Sequence, residues 1–86
     1  MKELEKILKA LANRRRLAIL KYLKVNGEAS VAEIAGEIDL SFNATSKHLG
    51  ILAVKDIVDR EQRSLQMFYS LARPQHPIVK NFMSTL

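Results

Sequence analysis

No cysteine occurs among the 86 residues. Disulfides, thiolate metal sites, thiol redox sensing and cysteine nucleophiles are excluded together. Glycine occurs only three times, and no glycine-rich phosphate loop can be assembled from it. Histidine is confined to His48 and His76, so no Ser-His-acid set is available and the carboxylates lie scattered on helix faces. An enzyme is therefore not expected. No apolar run approaches the ~20 residues that span a bilayer, and no signal-peptide pattern precedes the first helical stretch. These absences lead us to expect a soluble, cytoplasmic chain with no membrane partner.

What is present is a basic chain with enough apolar residues for one modest core. Hydrophobic residues make up 48% and charged residues 27%, a balance that argues against disorder. The length suits a single domain, 1–86. Net charge is +5, which suits a polyanionic partner, although a solvated basic surface accounts for the same number. The charge is unevenly placed. Residues 1–29 hold eight basic against three acidic side chains, residues 30–56 two against four, and residues 57–86 four against two.

Periodicity gives the order helix, helix, helix, helix, hairpin, helix, a mainly α (α+β) class. Leu4, Ile7, Leu8 and Leu11 recur at helical spacing within Met1–Ala12. Asn13 can cap a second helix whose buried side is Leu17, Ile19, Leu20 and Leu23, and Asn26-Gly27 ends it. Ser30 with Glu33 reads as a capping box opening a third helix, with Val31, Ile34, Ala35 and Ile38 inward. Asp39-Leu40 makes the turn, and Ser41 caps a fourth helix running to about Ala53. Ile57–Gln62 and Leu65–Leu71 then alternate as strands, joined at Gln62-Arg63-Ser64. In the second strand Leu65, Met67, Tyr69 and Leu71 share one face. Pro74 and Pro77 bound a short linker, and Ile78, Val79, Phe82, Met83 and Leu86 return to helical spacing.

Ser30–Leu52 is the most informative stretch: two short helices about three residues apart, the second polar on its outward face. Thr45, Leu49 and Leu52 form its apolar face, flanked by Ala44, His48 and Ile51. Phe42, Asn43, Ser46, Lys47 and Gly50 lie opposite. Such a face suits the major groove, where asparagine pairs with adenine, lysine with guanine, and serine with several edges or with phosphate. Phe42 either presses on a thymine methyl or folds back on the preceding turn. His48 fits a partly buried histidine bonded to backbone or phosphate better than a metal ligand. Arg60 and Arg63, near the hairpin tip, either reach sugar-phosphate and minor groove or discourage sheet-edge aggregation. Arg14, Arg15 and Arg16 cluster at a helix N-terminus, an unfavourable end for positive charge, with phosphate contact or solvent as the two outlets.

LKALANRRRLAIL (8–20), SVAEIAGEIDLSFNATSKHLGIL (30–52) and the hairpin ending in MFYSLA together resemble the winged helix-turn-helix repressors of the ArsR/SmtB type. The similarity covers nearly the whole chain. Its more specific parts are Leu11-Ala12-Asn13 with Arg16-Leu17, and Ser41 with Lys47-His48-Leu49. The resemblance implies a homodimeric transcriptional regulator of double-stranded DNA that pairs through its terminal helices, 1–12 and 77–86. The dimer residues would be Leu4, Ile7, Leu8, Leu11, Ile78, Val79, Phe82, Met83 and Leu86. It also implies a recognition helix contacting DNA through Ser41, Phe42, Asn43, Ser46, Lys47 and His48, and a basic wing, Arg60 and Arg63, on flanking backbone together with Arg15 and Arg16.

The chain also departs from that pattern. Val31 and Ala32 stand where metal-sensing members carry cysteines, and no carboxylate follows His76, so neither a metal nor a cofactor is expected. Arg14 replaces a usual proline, Asp56 a usual glycine, and Gly50 lacks a long basic side chain. No inducer can be named from the sequence. The alternative to an operator-reading repressor is a winged-helix module that binds protein or structured RNA.

Overall fold

The computed structural model describes residues 1–86, and α2, α3, α4 and α5 each begin on a side chain that caps the helix. α1 (Lys2–Leu11) is followed after two residues by α2 (Arg14–Asn26). The Asn13 side chain accepts hydrogen bonds from the backbone N–H groups of Arg15 and Arg16, 2.9 and 3.1 Å away. Gly27, at φ +83°, stops α2 in a conformation that other residues rarely adopt. The expected capping box is present: Glu33 N–H donates to Ser30 Oγ, and Ser30 N–H donates to Glu33 Oε1. It opens α3 (Val31–Ile38), which ends at Asp39 in left-handed geometry. Ser41 Oγ then accepts from Ala44 N–H and starts α4 (Phe42–Val54).

Between α2 and α3 lies a strand not foreseen from the sequence, β1 (Glu28–Ser30). Three residues are too few to show a period of two, and its second residue, Ala29, carries little hydrophobic signal. β1 pairs antiparallel with β3 (Gln66–Leu71), which pairs in turn with β2 (Val58–Arg63), giving the order β1-β3-β2. The hairpin turn is Ser64-Leu65 rather than Gln62-Arg63-Ser64, because Arg63 still pairs with Gln66. Ser64 takes φ +56°, and Leu65 stands 97% exposed at the tip instead of on the inner strand face. Asp56 has φ +56°, so the aspartate at the family's glycine position adopts the left-handed conformation.

α5 (Pro77–Met83) ends short of Leu86. His76 caps it, its Nδ1 accepting from Ile78 N–H at 3.1 Å. Lys24 on α2 donates to the Met83 carbonyl, 2.7 Å away, satisfying one carbonyl at the end of α5. The core joins Ile19, Leu20 and Leu23 of α2, Ile34 of α3, Leu49 and Leu52 of α4, and Ile57. α4 is thus held from behind by α2, α3 and the sheet. No helix is long and apolar enough to cross a membrane.

Candidate nucleic-acid interface

α4 carries the site because its two sides differ in burial. Thr45, Leu49 and Leu52 are fully buried at helical spacing and fix the helix against the core. Rotated away from them, Ser41, Phe42, Asn43 and Lys47 are exposed and Ser46 is half-buried. Phe42 is 55% exposed, so it is not folded away on the preceding turn. Asn43, Ser46 and Lys47 have side chains with no hydrogen bond or ion pair inside the chain. The helix contains no carboxylate at all, so nothing on it repels a phosphate. An adaptable polar face with one cation and free donors can read base edges.

Two arginines expected on DNA are already engaged. Arg63 forms two bonds to Glu28, 2.7 and 2.6 Å, and one to Glu61 at 2.7 Å, while its guanidinium lies over the Phe68 ring. The Arg63 guanidinium is therefore matched by two carboxylates of the sheet. The unforeseen β1 is the reason: its register with β3 sets Glu28 on the outer sheet face beside Ser70 and Asp59, within reach of Arg63. Bonding to Arg63 holds the Glu28 carboxyl below its ordinary pKa, against the opposing effect of burial. The second is Arg16, which reaches His48 and two carbonyls of α1. His48 is half-buried as expected, but its partner is an arginine rather than a backbone group. Burial, then the charges of Arg16 and Arg15, keep its pKa below the ordinary value.

The free cations are arranged differently from the sequence reading. Arg60 has no ion pair and lines a shallow cleft with Gly50, Ala53 and Val54, against the C-terminal half of α4 rather than at the wing tip. Arg14 and Arg15 pair with no carboxylate. Gly50 leaves open space where a longer side chain would stand. No group of three or more His, Asp or Glu residues is placed to hold a metal ion.

Several residues assigned to pairing by the terminal helices are consumed by the chain's own core. Ile7, Leu11, Val79 and Met83 are at most 5% exposed within a single chain. α1 and α5 must pack inward before they can pack on anything else, and these positions do that work. Leu8 and Ile78 remain exposed, with Leu4, Phe82 and Leu86 half-buried. An apolar strip of Met1, Leu4, Leu8 and Ala12 follows the outer side of α1.

Residues 11–61 match a family described as a helix-turn-helix domain, and the chain belongs to that family. The geometry is that of the winged helix-turn-helix regulators. The chain is 39% identical over 66 residues to the transcriptional activator HlyU of Vibrio cholerae, covering 77% of this chain and 60% of that protein. It is 38% identical over 66 residues to a biofilm growth-associated repressor of Agrobacterium fabrum, covering 77% and 56%. The chain thus spans less than two thirds of these relatives. The structure of reduced HlyU superimposes with a TM-score of 0.83 at 34% identity, over 99% of this chain and 85% of that one. The homodimeric winged helix-turn-helix DNA-binding domain of Mb0332 from Mycobacterium bovis, a possible ArsR-family regulator, gives a TM-score of 0.82 at 27% identity, over 98% and 74%.

Proposed function

We propose that this chain is a cytoplasmic, homodimeric transcriptional regulator that reads an inverted-repeat operator in double-stranded DNA. The observation that carries the proposal is the α4 face: Phe42, Asn43 and Lys47 exposed with Ser46 half-buried beside them, their polar groups without internal partners, on a helix free of carboxylates. In this reading Asn43 and Lys47 contact base edges, Ser46 an edge or phosphate, and Phe42 a thymine methyl. Ser41 has its hydroxyl committed to capping and serves by setting where the helix begins. Arg60, Arg14 and Arg15 supply backbone contacts, whereas Arg63 stiffens the wing.

Pairing uses the outer sides of α1 and α5, with Leu4, Leu8, Ile78, Phe82 and Leu86 at the contact and residues 1–86 acting as one domain. The relatives include one named an activator and one named a repressor, and operator occupancy serves either outcome. The test is retardation of a random duplex in a gel at roughly 50 mM salt, where phosphate contacts dominate. Retention of duplex by the wild type, weakened by Lys47→Ala, is the expected result. A wild-type chain that leaves the duplex unshifted, while binding structured RNA or protein, refutes it.

A further inference from the structure

Three helices meet at one side chain. Arg16, in the first turn of α2, places Nη1 3.1 Å from Nδ1 of His48 on α4. Its Nε donates to the Ala10 carbonyl and its Nη2 to that of Lys9 at 3.3 Å, both at the C-terminal end of α1. A guanidinium has donors and no acceptor, so His48 Nδ1 must be the accepting atom. The imidazole is thereby neutral and carries its proton on Nε2. That nitrogen has no partner inside the chain. Nor is it sealed from solvent, since Thr45 and Gln75 alone hold buried side-chain atoms without a partner. The charged groups around the ring are Arg15 and Arg16 of α2 and the neighbouring Lys47 of α4; no carboxylate competes for the ring proton.

We propose that Arg16 is a positioning residue of the DNA interface: it locks His48 in the Nε2–H form, so that α4 presents a neutral, directional donor to a backbone phosphate. The proposal rests on the DNA-binding reading above and adds the atom, the tautomer and the residue that sets it. A neutral N–H differs from lysine in one measurable respect. It bonds a phosphate without adding a charge, so it contributes affinity but no counterion release, and the salt slope does not register it.

The first measurement needs no variant. Long-range ¹⁵N–¹H correlation on the free wild-type chain near neutral pH should show His48 Nδ1 unprotonated and Nε2 protonated. In Arg16→Gln the same spectrum should move toward a mixture of tautomers, a change that a purely structural arginine would not produce. The second measurement is binding of a duplex enriched from a random pool, as a function of salt. His48→Asn keeps an acceptor at the δ position and removes Nε2–H. Affinity should fall about tenfold for each copy, the size of one charge-assisted hydrogen bond, and so about a hundredfold for the dimer, at every salt concentration with the slope unchanged. His48→Gln, which restores an N–H near the ε position, should recover part of the loss. A wild-type ring protonated at Nδ1, or a His48→Asn chain that binds as tightly as wild type, overturns the proposal while the DNA-binding reading stands. A wild-type chain that enriches no duplex overturns both.

Discussion

Thr45 is fully buried and its hydroxyl has no hydrogen-bond partner, an orphan on the inner side of the recognition helix. An unpaired buried hydroxyl costs about 1–3 kcal/mol, so Thr45→Val, which keeps the β-branch, should raise stability by ~1 kcal/mol. For a domain of this size that is a rise of about 4–8 °C in melting temperature. Unchanged or lower melting would mean that the hydroxyl finds a partner in solution. Asp56 and Ser64 hold left-handed backbone geometry, which glycine adopts without steric cost. Asp56→Gly should therefore be neutral to stabilising by up to ~1 kcal/mol in chemical denaturation, whereas Asp56→Val should lose more than that. On the outer face, Asn43→Ala and Lys47→Ala should each cost ~1–3 kcal/mol on a preferred duplex and relax preference at one base position. Uniform weakening across sequences would reassign that residue to phosphate.

The elements of this chain were legible in its sequence where caps and periodicity agree. Ser30 with Glu33, Ser41 before an apolar stripe, and Asn13 before Leu17 each mark a helix start that the structure reproduces. β1 was not legible, because three residues leading straight into a capping box leave no room for alternation. Missing β1 hid the internal partner of Arg63, since Glu28 is 35 residues away in sequence and is brought close by sheet register alone. The same holds for Arg16 and His48, 32 residues apart. Long-range polar pairs are set by topology, and a periodicity reading sees residues one at a time. The wing clamp has a pH consequence with a definite sign. The Glu28 carboxyl is held below its ordinary pKa in the folded chain, so its stabilising bond to Arg63 is complete at neutral pH and is lost as pH falls through the folded value. His48, also depressed, acts in the same direction at higher pH: its contribution declines as pH drops below its ordinary 6.5 and levels off below the folded value. Melting followed from pH 7 downward should lose the upper part of this decline in His48→Asn and the lower part in Glu28→Gln. Parallel curves for all three chains would contradict both assignments.

At the scale of the whole molecule, reading an inverted repeat requires two copies of the chain. Leu8 is 48% exposed beside Leu4 and Met1 on the outer side of α1, where the proposed pairing would cover it. Leu8→Glu should leave the fold intact, because that side chain is not in the core, yet shift sedimentation toward the monomer and weaken duplex binding. A dimer that survives this change would place the contact elsewhere. The buried residues of the same helices give the contrast: Ile7→Ala should destabilise the single chain by about 2–5 kcal/mol whatever its partner. If each copy sets Arg60, Arg14 and Arg15 on phosphates, a dimer makes about six such contacts. The logarithmic salt slope should then be about −5. Arg63→Gln should leave that slope nearly unchanged, since its charge is already matched by two carboxylates.

The central claim, that the outer face of α4 reads DNA sequence from a two-fold pair, is tested most directly by selecting bound duplexes from a random pool with the purified chain. The selected sequences should contain an inverted repeat whose half-sites are centred about 10 bp or a multiple apart, with base preferences that shift in Asn43→Ala. Recovery of no common sequence, or of one that Asn43→Ala and Lys47→Ala select unchanged, would contradict it.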